Sequence, residues 1–570
     1  SLYLDGSQPL EIDFLMLLDK NAHSLRTDFN EWVALLGNKC KKSDLPYWWT
    51  SELASRNTIA LSLYNQLVEL FTARQWIELH PEIKAVYFSS SGQVEVFRQL
   101  MQFQHGEGVY VGSTESFVGL LTNRIKPWFQ YLSNVYHWCQ RIAAVLCTRK
   151  KLESITSSLI LVDIFVLEDS FGPDGFRDRY YNYFNLEWDE LKQNSIRYVP
   201  IIYARKGYFK LYKNLRRYQE HFIVKEDYLN IRDWFSVFLL PFRLMRLIPL
   251  GVPFRDVKVD PLVREAWNSS LTSQSSMDAW TAFLFPHRLK KAGIKVRKLI
   301  EWFENQVVDK CSILGFHQAY SDIPVVGYQI SQPHQLYLCL FPTRHEYVSR
   351  VLPDKIAVCG QAAIEERKKF FDHPGIILAP AFRYCRLWNK RSTYPDPSEF
   401  TISLLMPFTV RECELLLEIV SKALSEWQGS ISIFIKKHPA VSSNVIARML
   451  DKYFIGNLKI TNEDTYKIIE KSNFVVSNNS GITLEAVAMG TPVVIIGNDR
   501  GLSFHPMGSN ILSEMWRIAR TPTEFIESLK YFSNISEERI ALYNKESERI
   551  RALFFEPTTK QNGLEFINNN

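Results

Sequence analysis

Short apolar runs alternate with longer amphipathic segments throughout the second half of the chain. Runs rich in Ile, Val, Leu and Phe predict strands, and the segments between them carry apolar residues at helical spacing. Strands are expected in "TISLLMPF" (401–408), "ISIFIKKHP" (431–439), "LKIT" (458–461) and "SNFVVS" (472–477), and helices at 411–426, 441–453, 464–471 and 522–555. Because the runs are apolar on both faces, the pattern predicts a parallel, doubly wound α/β sheet.

The first half of the chain mixes strand-like runs with long helical patterns. At 354–370 a strand, a glycine and a helix follow one another, and we expect the second domain to begin near there. Residues 251–285 are the least regular and are expected to form a loop-rich insertion or lid. The expected strands are "LEIDFLMLLD" (10–19), "AVYFSSSG" (85–92), "IRYVPIIYA" (196–204) and the first part of "SSLILVDIFVLEDSFGPDGF" (157–176).

Small polar residues stand where the strand at 472–477 is expected to meet a helix. Ligands of open α/β sheets bind at the carboxyl ends of strands, and the start of a helix offers unpaired N–H groups that suit phosphate. The candidates are Ser477, Asn478, Asn479, Ser480 and Gly481, with Glu485 one turn later for sugar hydroxyls. The alternative is a plain helix cap, in which Asn and Ser serve only the first turn of their own helix.

Two lysines and a histidine follow the expected strand at 431–439. Lys436, Lys437 and His438 come at the carboxyl end of that strand. In a parallel sheet this end lies on the same edge as the Ser- and Asn-rich loop. The combination favours an anion site over a lone structural histidine.

Composition narrows the class of protein. The 570 residues suggest two large domains, and a net charge of +6 is too small to indicate a nucleic-acid partner. The eight cysteines form no CxxC pair, which is typical of reduced thiols in a cytosolic protein. No uncharged apolar run of about 18 residues occurs, so no span of a bilayer is expected. No signal peptide is recognised, and Ser1 in place of Met is consistent with a trimmed N-terminus.

The pairing of strand–Lys–His–Pro with S-N-N-S-G-x-T-L-E-A-x-x-x-G-x-P resembles the nucleotide-binding domain of GT-B glycosyltransferases. It is most similar to bacterial surface-carbohydrate enzymes that use CMP-activated acidic sugars, such as Kdo transferases and sialyltransferases. The segments 48–64, 299–316 and 352–363 resemble a family of surface carbohydrate biosynthesis proteins that spans nearly the whole chain.

The resemblance implies a fold and a division of the chain. We expect two Rossmann-like domains facing a cleft, with parallel sheets flanked by helices. Residues 1–350 would form an acceptor-side domain with helical insertions, and 351–540 the nucleotide-sugar domain. Residues 541–570 would form a helix or tail that packs back on the first domain.

The resemblance also assigns site residues. His438 would contact the donor phosphate, and Glu485 would hold the ribose. The phosphate and ribose pocket would be lined by Ser477, Asn478, Asn479 and Ser480. The chain departs from its relatives after Gly327, where Gln329-Ile330-Ser331 stands in place of a His-Ser pair. We therefore do not carry the role of that histidine over to this chain.

Transfer of a sugar also needs a carboxylate, as base or as nucleophile. Glu304, on an expected apolar helical stretch with Asn305 and Gln306, is the first candidate, and a core hydrogen-bond network is its alternative. Asp163 lies within an expected strand, where a charge is costly unless it is paired or functional. Asp169 follows in an acidic loop with Glu168, Asp174 and Asp178.

Other residues are expected to meet the sugar and a membrane. Arg56 and Arg344 are candidates for the carboxylate of an acidic sugar. No D-x-D motif is present, which favours a metal-independent site without a cofactor. The basic aromatic stretches 203–219 and 237–255 are candidates for peripheral contact with an anionic membrane, or are a solvated helix and a core helix.

The sequence therefore predicts a metal-independent GT-B glycosyltransferase that moves Kdo or a sialic-acid-like sugar from a CMP donor to a bacterial surface glycan. Its partners would be the nucleotide-sugar donor and a lipid-linked or oligosaccharide acceptor, with no nucleic acid. We expect it in the cytoplasm, peripherally at the inner membrane. A CDP-polyol phosphotransferase of the teichoic-acid type and a non-catalytic nucleotide-binding scaffold are the alternatives.

Overall fold

The apolar periodicity of the chain is realised as 17 strands and 22 α-helices among the described residues of a computed structural model. The structure describes residues 3–4, 11–102, 109–114, 117–150, 155–167, 170–172, 175–176, 178, 180–181, 188–193, 195–202, 206–330, 334–389, 394–395, 400–453 and 458–569.

The chain divides into two units. Ser24–Ile330, Tyr337–Arg383 and Thr558–Asn570 form one, called here the N-terminal unit. Ser1–His23, Ser331–Leu336 and Tyr384–Pro557 form the other, called the C-terminal unit. The chain therefore crosses between the units several times.

The first eleven strands precede residue 380. They are β1 (Tyr3–Leu4), β2 (Ala85–Phe88), β3 (Tyr110–Ser113), β4 (Leu159–Val166), β5 (Phe171–Gly172), β6 (Gly175–Phe176), β7 (Ile196–Ile202), β8 (Val296–Trp302), β9 (Val325–Gln329), β10 (Lys355–Val358) and β11 (Ile376–Leu378). The main sheet of the N-terminal unit has the order β11-β10-β9-β8-β4-β7, and all its neighbouring strands are parallel.

The remaining strands form the parallel sheet of the C-terminal unit. They are β12 (Thr401–Leu405), β13 (Ser432–Lys436), β14 (Leu458–Ile460), β15 (Phe474–Ser477), β16 (Val493–Ile496) and β17 (Trp516–Ala519). Their order is β14-β13-β12-β15-β16-β17. Numbered within the unit this is 3-2-1-4-5-6, the strand order of dinucleotide-binding Rossmann sheets.

Helices connect and cover the strands. They are α1 (Ile12–Asn38), α2 (Leu45–Trp48), α3 (Glu52–Ser55), α4 (Leu63–Leu79), α5 (Ser91–Gln102), α6 (Phe117–Thr148), α7 (Trp188–Gln193), α8 (Tyr208–Arg217), α9 (Ile231–Phe238), α10 (Leu240–Leu244), α11 (Asp260–Ser270), α12 (Gln274–Lys291), α13 (Val307–Ala319), α14 (Arg344–Val348), α15 (Gln361–Lys368), α16 (Val410–Glu426), α17 (Ser443–Lys452), α18 (Thr465–Glu470), α19 (Ile482–Ala488), α20 (Pro522–Ser533), α21 (Glu537–Phe554) and α22 (Lys560–Asn569). In the described residues, no helix is both long and apolar enough to cross a membrane.

The core of each unit lies against its parallel sheet. Every residue of β12, β15 and β16 is buried, as expected for strands covered on both faces. In the N-terminal unit, Leu161 of β4 and Leu299 of β8 belong to a cluster that includes Phe285 of α12 and Phe316 of α13. The prediction of an α/β fold with two parallel sheets flanked by helices is confirmed.

Each sheet has a point at which its strand order reverses. In the C-terminal unit it lies between β12 and β15, and in the N-terminal unit between β4 and β8. The loops that leave adjacent strand ends at such a point diverge to opposite faces, which opens a crevice for a ligand. The two reversal points therefore direct attention to the loops after Leu405, Ser477, Val166 and Trp302.

Two secondary-structure expectations differ from the structure. Of the strand predicted at 10–19, residues 12–19 belong to helix α1, because Phe14, Leu18, Ala22 and Leu25 are buried at helical spacing. Most of 251–285 is helix α11 and part of α12, so it is not a loop-rich lid.

The predicted domain boundary at 350 also differs. Strand β10 pairs with β9 and with β11, so 355–378 completes the sheet of the N-terminal unit. The C-terminal tail splits within the predicted segment 541–570. Helix α21 stays with the C-terminal unit, whereas α22 belongs to the N-terminal unit, where Lys298 donates hydrogen bonds of 3.0 and 2.7 Å to the carbonyls of Phe566 and Ile567.

Candidate functional site

Two polar side chains at the end of β15, those of Ser477 and Asn478, bind this strand to its neighbours. The hydroxyl of Ser477 donates to the carbonyl of Leu405 at 2.8 Å, and Asn478 Nδ2 donates to the carbonyl of Ile496 at 3.1 Å. Both side chains are buried. They hold the edges of β12, β15 and β16 together, and Asn478 Oδ1 has no hydrogen-bond partner in the structure.

The next three residues form the accessible part of this loop. Asn479 Nδ2 donates to Glu412 Oε1 at 2.8 Å, which ties the loop to the first turn of α16. The Ser480 hydroxyl accepts from the Ile482 N–H at 3.4 Å, and Gly481 is exposed. A Cβ added at Gly481 would meet nothing within 4 Å. Helix α19 has only seven residues, so its N-terminus alone would attract an anion weakly. The space beside Gly481 is therefore the stronger indication that a ligand could bind here.

The basic residues after β13 are placed at the same edge of the sheet. Lys436 donates to the carbonyl of Glu463, and Lys437 donates to the carbonyl of Val441 at 3.5 Å. His438 is half-buried, and its Nδ1 accepts from the Ala440 N–H at 3.1 Å. Burial and then the charge of Lys437 lower its pKa. The ring is therefore neutral at pH 7, with Nε2 carrying the proton as a hydrogen-bond donor.

Glu485, predicted to hold a ribose, is engaged within the protein. The hydroxyl of Tyr466 donates to Glu485 Oε2, and the carboxylate is buried. The Tyr466 ring in turn has the guanidinium of Arg386 4.8 Å from its centroid. The carboxylate of Glu485 is therefore engaged inside the C-terminal unit.

The reversal point of the N-terminal unit carries Glu304. The structure places it in the loop between β8 and α13 and not on a helix, because the capping box of Gln306 and Asp309 starts the helix after it. Gln306 Nε2 donates to Glu304 Oε2 at 2.6 Å and to the Tyr337 hydroxyl at 3.0 Å. Burial raises the pKa of Glu304, while hydrogen bonds from Trp302 and Gln306 and the charge of Arg383 oppose the rise.

Three more carboxyl groups lie behind Glu304. Asp163 of β4 accepts from the Trp302 N–H. Burial raises its pKa well above the ordinary value, as it does for Glu301 of β8. Burial also raises the pKa of Asp309 to about 7, the charge of Glu304 adding to the rise. Carboxylates that are buried close together disfavour one another's ionisation. We therefore expect these carboxyl groups to be at least partly protonated near neutral pH.

The acidic loop after β4 is only partly described. Asp169, Glu168 and Asp174 lie outside the described residues. Asp178 is buried and accepts from the Tyr180 and Tyr181 N–H groups, each at 2.8 Å, and from the Tyr198 hydroxyl at 3.1 Å. Asp178 is therefore engaged in hydrogen bonds within the protein.

The two arginines predicted to bind a sugar carboxylate are placed differently from one another. Arg56 is buried and donates to Asn30, to the carbonyls of Leu338 and Phe341, and to Glu346 at 2.7 Å. Because the guanidinium of Arg56 donates to these four partners inside the fold, the structure gives Arg56 a structural role. Arg344, the first residue of α14, is exposed.

Position 329, where the resembling family has a histidine, is also structural. Gln329 is buried at the end of β9, where Nε2 donates to the carbonyl of Leu340 at 3.1 Å and Oε1 accepts from Arg367. The side chain holds a buried guanidinium in place. It does not present a group for acid–base chemistry.

Sequence reasoning missed several residues near the two loops. Glu412 and Phe408 follow β12, and the Phe408 ring centroid is 6.3 Å from that of His438. Arg383 is an exposed cation whose charge acts on Glu304. The strand order 3-2-1-4-5-6 brings the loop after β12 beside the loop after β15, and this adjacency has no local signal in the sequence. Among the described residues, no group of three or more His, Cys, Asp or Glu is placed to hold a metal ion.

Comparisons with known proteins give remote structural likenesses only. No family model and no curated protein matches the chain. S. aureus MnaA with UDP is 12% identical with a TM-score of 0.40, over 72% of this chain and 95% of that chain. UDP-GlcNAc 2-epimerase from Neisseria meningitidis bound to UDP-GlcNAc is 12% identical with a TM-score of 0.39, over 72% and 98%. MurG of Acinetobacter baumannii is 10% identical with a TM-score of 0.41, over 73% and 100%. Similarity at this level does not assign an activity.

Proposed function

We propose that the chain is a nucleotide-sugar-dependent glycosyltransferase of the GT-B type. The observation that carries the proposal is the position of the polar residues. In each Rossmann-like sheet polar residues lie at the reversal point of the strand order, with Asn479 in one unit and Glu304 in the other. His438 follows β13, the strand next to β12, at the same carboxyl ends of the strands. These are the places where open α/β sheets bind ligands.

The C-terminal unit would bind the donor nucleotide. His438 donates from Nε2 to a phosphate oxygen, and Lys437 lies beside it as a positive charge. The space beside Gly481 would admit the nucleotide, and the ring of Phe408 lies next to the imidazole of His438. These groups supply the charge stabilisation that a metal supplies in other transferases, so we propose transfer without a metal.

The N-terminal unit would supply the carboxylate. As a base, Glu304 would take the proton of the acceptor hydroxyl while the acceptor oxygen bonds to the anomeric carbon, the bond from that carbon to the phosphate oxygen breaks, and the nucleotide leaves with the electron pair. As a nucleophile, Glu304 would bond to the anomeric carbon as the nucleotide leaves in the same way, and the acceptor oxygen would then displace the carboxylate, with its proton passing to the departed phosphate. Burial raises the pKa of Glu304 above its ordinary value, which makes the ionised carboxylate a stronger base.

For the substrates we propose a CMP-activated acidic sugar and a bacterial surface glycan. The support is the resemblance of the 436–439 and 477–492 segments to enzymes with such donors. Since Arg56 is engaged elsewhere, Arg344 and Arg383 are the remaining candidates for the sugar carboxylate. We keep the CDP-polyol phosphotransferase as the second candidate, because the same nucleotide base and phosphates would meet the same edge of the sheet.

The test is an assay of nucleotide release. The full chain is incubated with CMP-Kdo, CMP-sialic acid, CDP-glycerol or UDP-GlcNAc, each with excess chelator, and the free nucleotide and products are followed by mass spectrometry. Release of CMP from an acidic-sugar donor, lost in Glu304→Gln and kept in Glu365→Gln on the exposed face of α15, is the expected result. A product that carries an added phosphate would assign the phosphotransferase. No release from any donor, with nucleotide binding intact, would overturn an enzymatic function and leave the scaffold.

A further inference from the structure

One long face of helix α6 is exposed and almost entirely apolar. Ile125, Phe129, Leu132, Tyr136, Cys139, Ala143 and Leu146 follow one another at alternating spacings of four and three residues, and all are exposed. Such spacing places side chains in one stripe along a helix. Phe129 is 67% exposed and Leu132 is 61% exposed. A stripe of this kind normally faces a core, and here it faces outward.

Helices α9 and α10 extend the same apolar face. The ring centroids of Trp128 and Phe242 are 6.0 Å apart, and the Tyr131 hydroxyl donates to the carbonyl of Phe238 at 2.6 Å. Around these contacts the exposed apolar side chains of the two helices are Ile231, Phe235, Leu239, Phe242 and Met245. The stripe of α6 and these five side chains together are called here the apolar face. It is far larger than the single exposed hydrophobic residues that are common on soluble proteins.

The charges within the apolar face have one sign. Lys126, Arg232, Arg243 and Arg246 are exposed, and α6 contains no Asp or Glu. The single acidic residue of α9 and α10 is Asp233, which is buried, caps α9 and pairs with Arg288. The apolar face therefore carries cations without accessible anions on its own helices.

A surface cavity beside α10 adds further cations. It has a volume of about 580 Å³, and its charged lining residues are Lys39, Lys41, Asp44, Arg243 and Arg246. Four cations and one carboxylate leave the cavity with a net positive charge. An anionic phosphate group would find both charge and space there.

We propose that the apolar face docks on the surface of an anionic lipid bilayer. Trp, Tyr and Phe side chains favour the region between head groups and acyl chains, and adjacent Lys and Arg bind anionic lipids. A second copy of this chain fits less well. In a two-fold dimer the same patch meets itself, and the four cations would then face one another without carboxylates. The inference does not depend on the proposed function.

The test is sedimentation of the full chain with lipid vesicles. Vesicles of phosphatidylglycerol and phosphatidylcholine are compared with vesicles of phosphatidylcholine alone. We expect binding to the anionic vesicles that weakens with added salt. The variant Phe129→Glu with Leu132→Glu should lower the partition coefficient by about tenfold or more. Arg232→Gln with Arg246→Gln should weaken anionic binding and leave the weak neutral binding unchanged.

A matched control separates this face from general apolar exposure. Ile59 and Leu79 are 53% and 62% exposed elsewhere in the N-terminal unit, and Ile59→Glu with Leu79→Glu should leave vesicle binding unchanged. Thermal unfolding and nucleotide binding of each variant show that folding is intact. Equal binding by wild type and the Phe129/Leu132 variant would overturn the proposal. The proposal would also be overturned if light scattering showed that the wild type is a dimer which the Phe129/Leu132 variant dissociates, and if the wild type did not bind vesicles.

Discussion

Asn479 Nδ2 donates a 2.8 Å hydrogen bond to Glu412 Oε1, and this bond joins the loop after β15 to the helix that follows β12. The two loops leave the sheet where its strand order reverses. The bond therefore lies at the crevice where a Rossmann sheet is expected to hold its ligand, and it fixes the position of the half-buried Asn479 side chain.

Removing this bond should loosen the loop without unfolding the sheet. Glu412→Ala frees Asn479, and since a hydrogen bond to a charged group contributes about 1.5–3 kcal/mol, we expect nucleotide affinity to fall about tenfold. The control is Glu418→Ala on the same helix, where the carboxylate meets only Lys422 in an exposed pair. Equal affinity of the two variants in calorimetric titration would show that the bond is only a helix cap.

Gly481 tests where the ligand lies. Its φ of −59° is ordinary and a Cβ there meets nothing within 4 Å, so Gly481→Leu should leave the thermal midpoint unchanged. The larger side chain would occupy the space in front of the loop, and we expect nucleotide binding to be lost, with Gly481→Ala intermediate. Full binding by the Leu variant would place the nucleotide elsewhere.

Glu304 should control turnover and not binding. Glu304→Gln keeps a hydrogen-bonding side chain of the same shape but removes the charge, so we expect unchanged nucleotide affinity and loss of donor turnover. Because burial raises its pKa, the active ionised form is lost as pH falls through a value above the ordinary range of a glutamate. In a plot of turnover rate against pH, the wild type should therefore lose activity on the acidic side at this raised pKa. Persistent turnover in the variant would move the carboxylate to Asp163 or to the loop that contains Asp169.

Glu346 links stability to pH in the N-terminal unit. Burial alone would raise its pKa, but the charges of Arg56 and Lys310 outweigh burial and hold it at about 2. Since this pKa lies below the ordinary 4.5, the carboxylate stabilises the fold above pH 4.5, and this contribution is lost as pH falls through 2. Glu346→Gln removes the carboxylate that pairs with the buried cations Arg56 and Lys310, which should cost about 3–5 kcal/mol at pH 7.

The measurement is thermal unfolding of wild type and Glu346→Gln from pH 7 down to pH 2. The gap between the two midpoints should close as pH falls through this window. The control is Glu365→Gln, an exposed residue whose midpoint should follow wild type throughout. A gap that stays constant with pH would mean that the variant acts through packing and not through charge.

The local structure around the proposed nucleotide site was predictable, because its signal in the sequence is local. A strand, a small polar loop and a helix follow one another at 472–488, and the structure keeps that order. In contrast, the apolar run at 10–19 fits strand and helix equally well over ten residues, and only the buried positions as far as Leu25 reveal the helical period.

Long-range contacts decided the residues that the sequence misassigned. Arg56 was assigned to a ligand because arginine suits carboxylates, but its partners lie 282 to 290 residues later in the chain, except for Asn30. For Glu304 the cause is local, because the capping box of Gln306 and Asp309 makes the helix begin after it. The site is therefore better predicted by strand order than by residue type.

His438 is the residue on which donor binding should depend most. His438→Ala removes the Nε2 donor and one aromatic neighbour of Phe408, and costs the fold only the hydrogen bond from the Ala440 N–H. We expect weaker nucleotide binding, loss of turnover and an unchanged thermal midpoint. His80→Ala in the N-terminal unit is the matched control. Unchanged affinity in His438→Ala would remove this residue from the site.

The most direct measurement is calorimetric titration of the full chain with CMP, CDP, UDP, GDP and ADP, each with excess chelator. The account predicts that CMP binds selectively without a metal and that His438→Ala abolishes this binding. Preference for UDP, GDP or ADP would keep the nucleotide site but contradict the acidic-sugar donor. If no nucleotide binds, the reversal point between β12 and β15 is not a nucleotide site, and the proposed function falls.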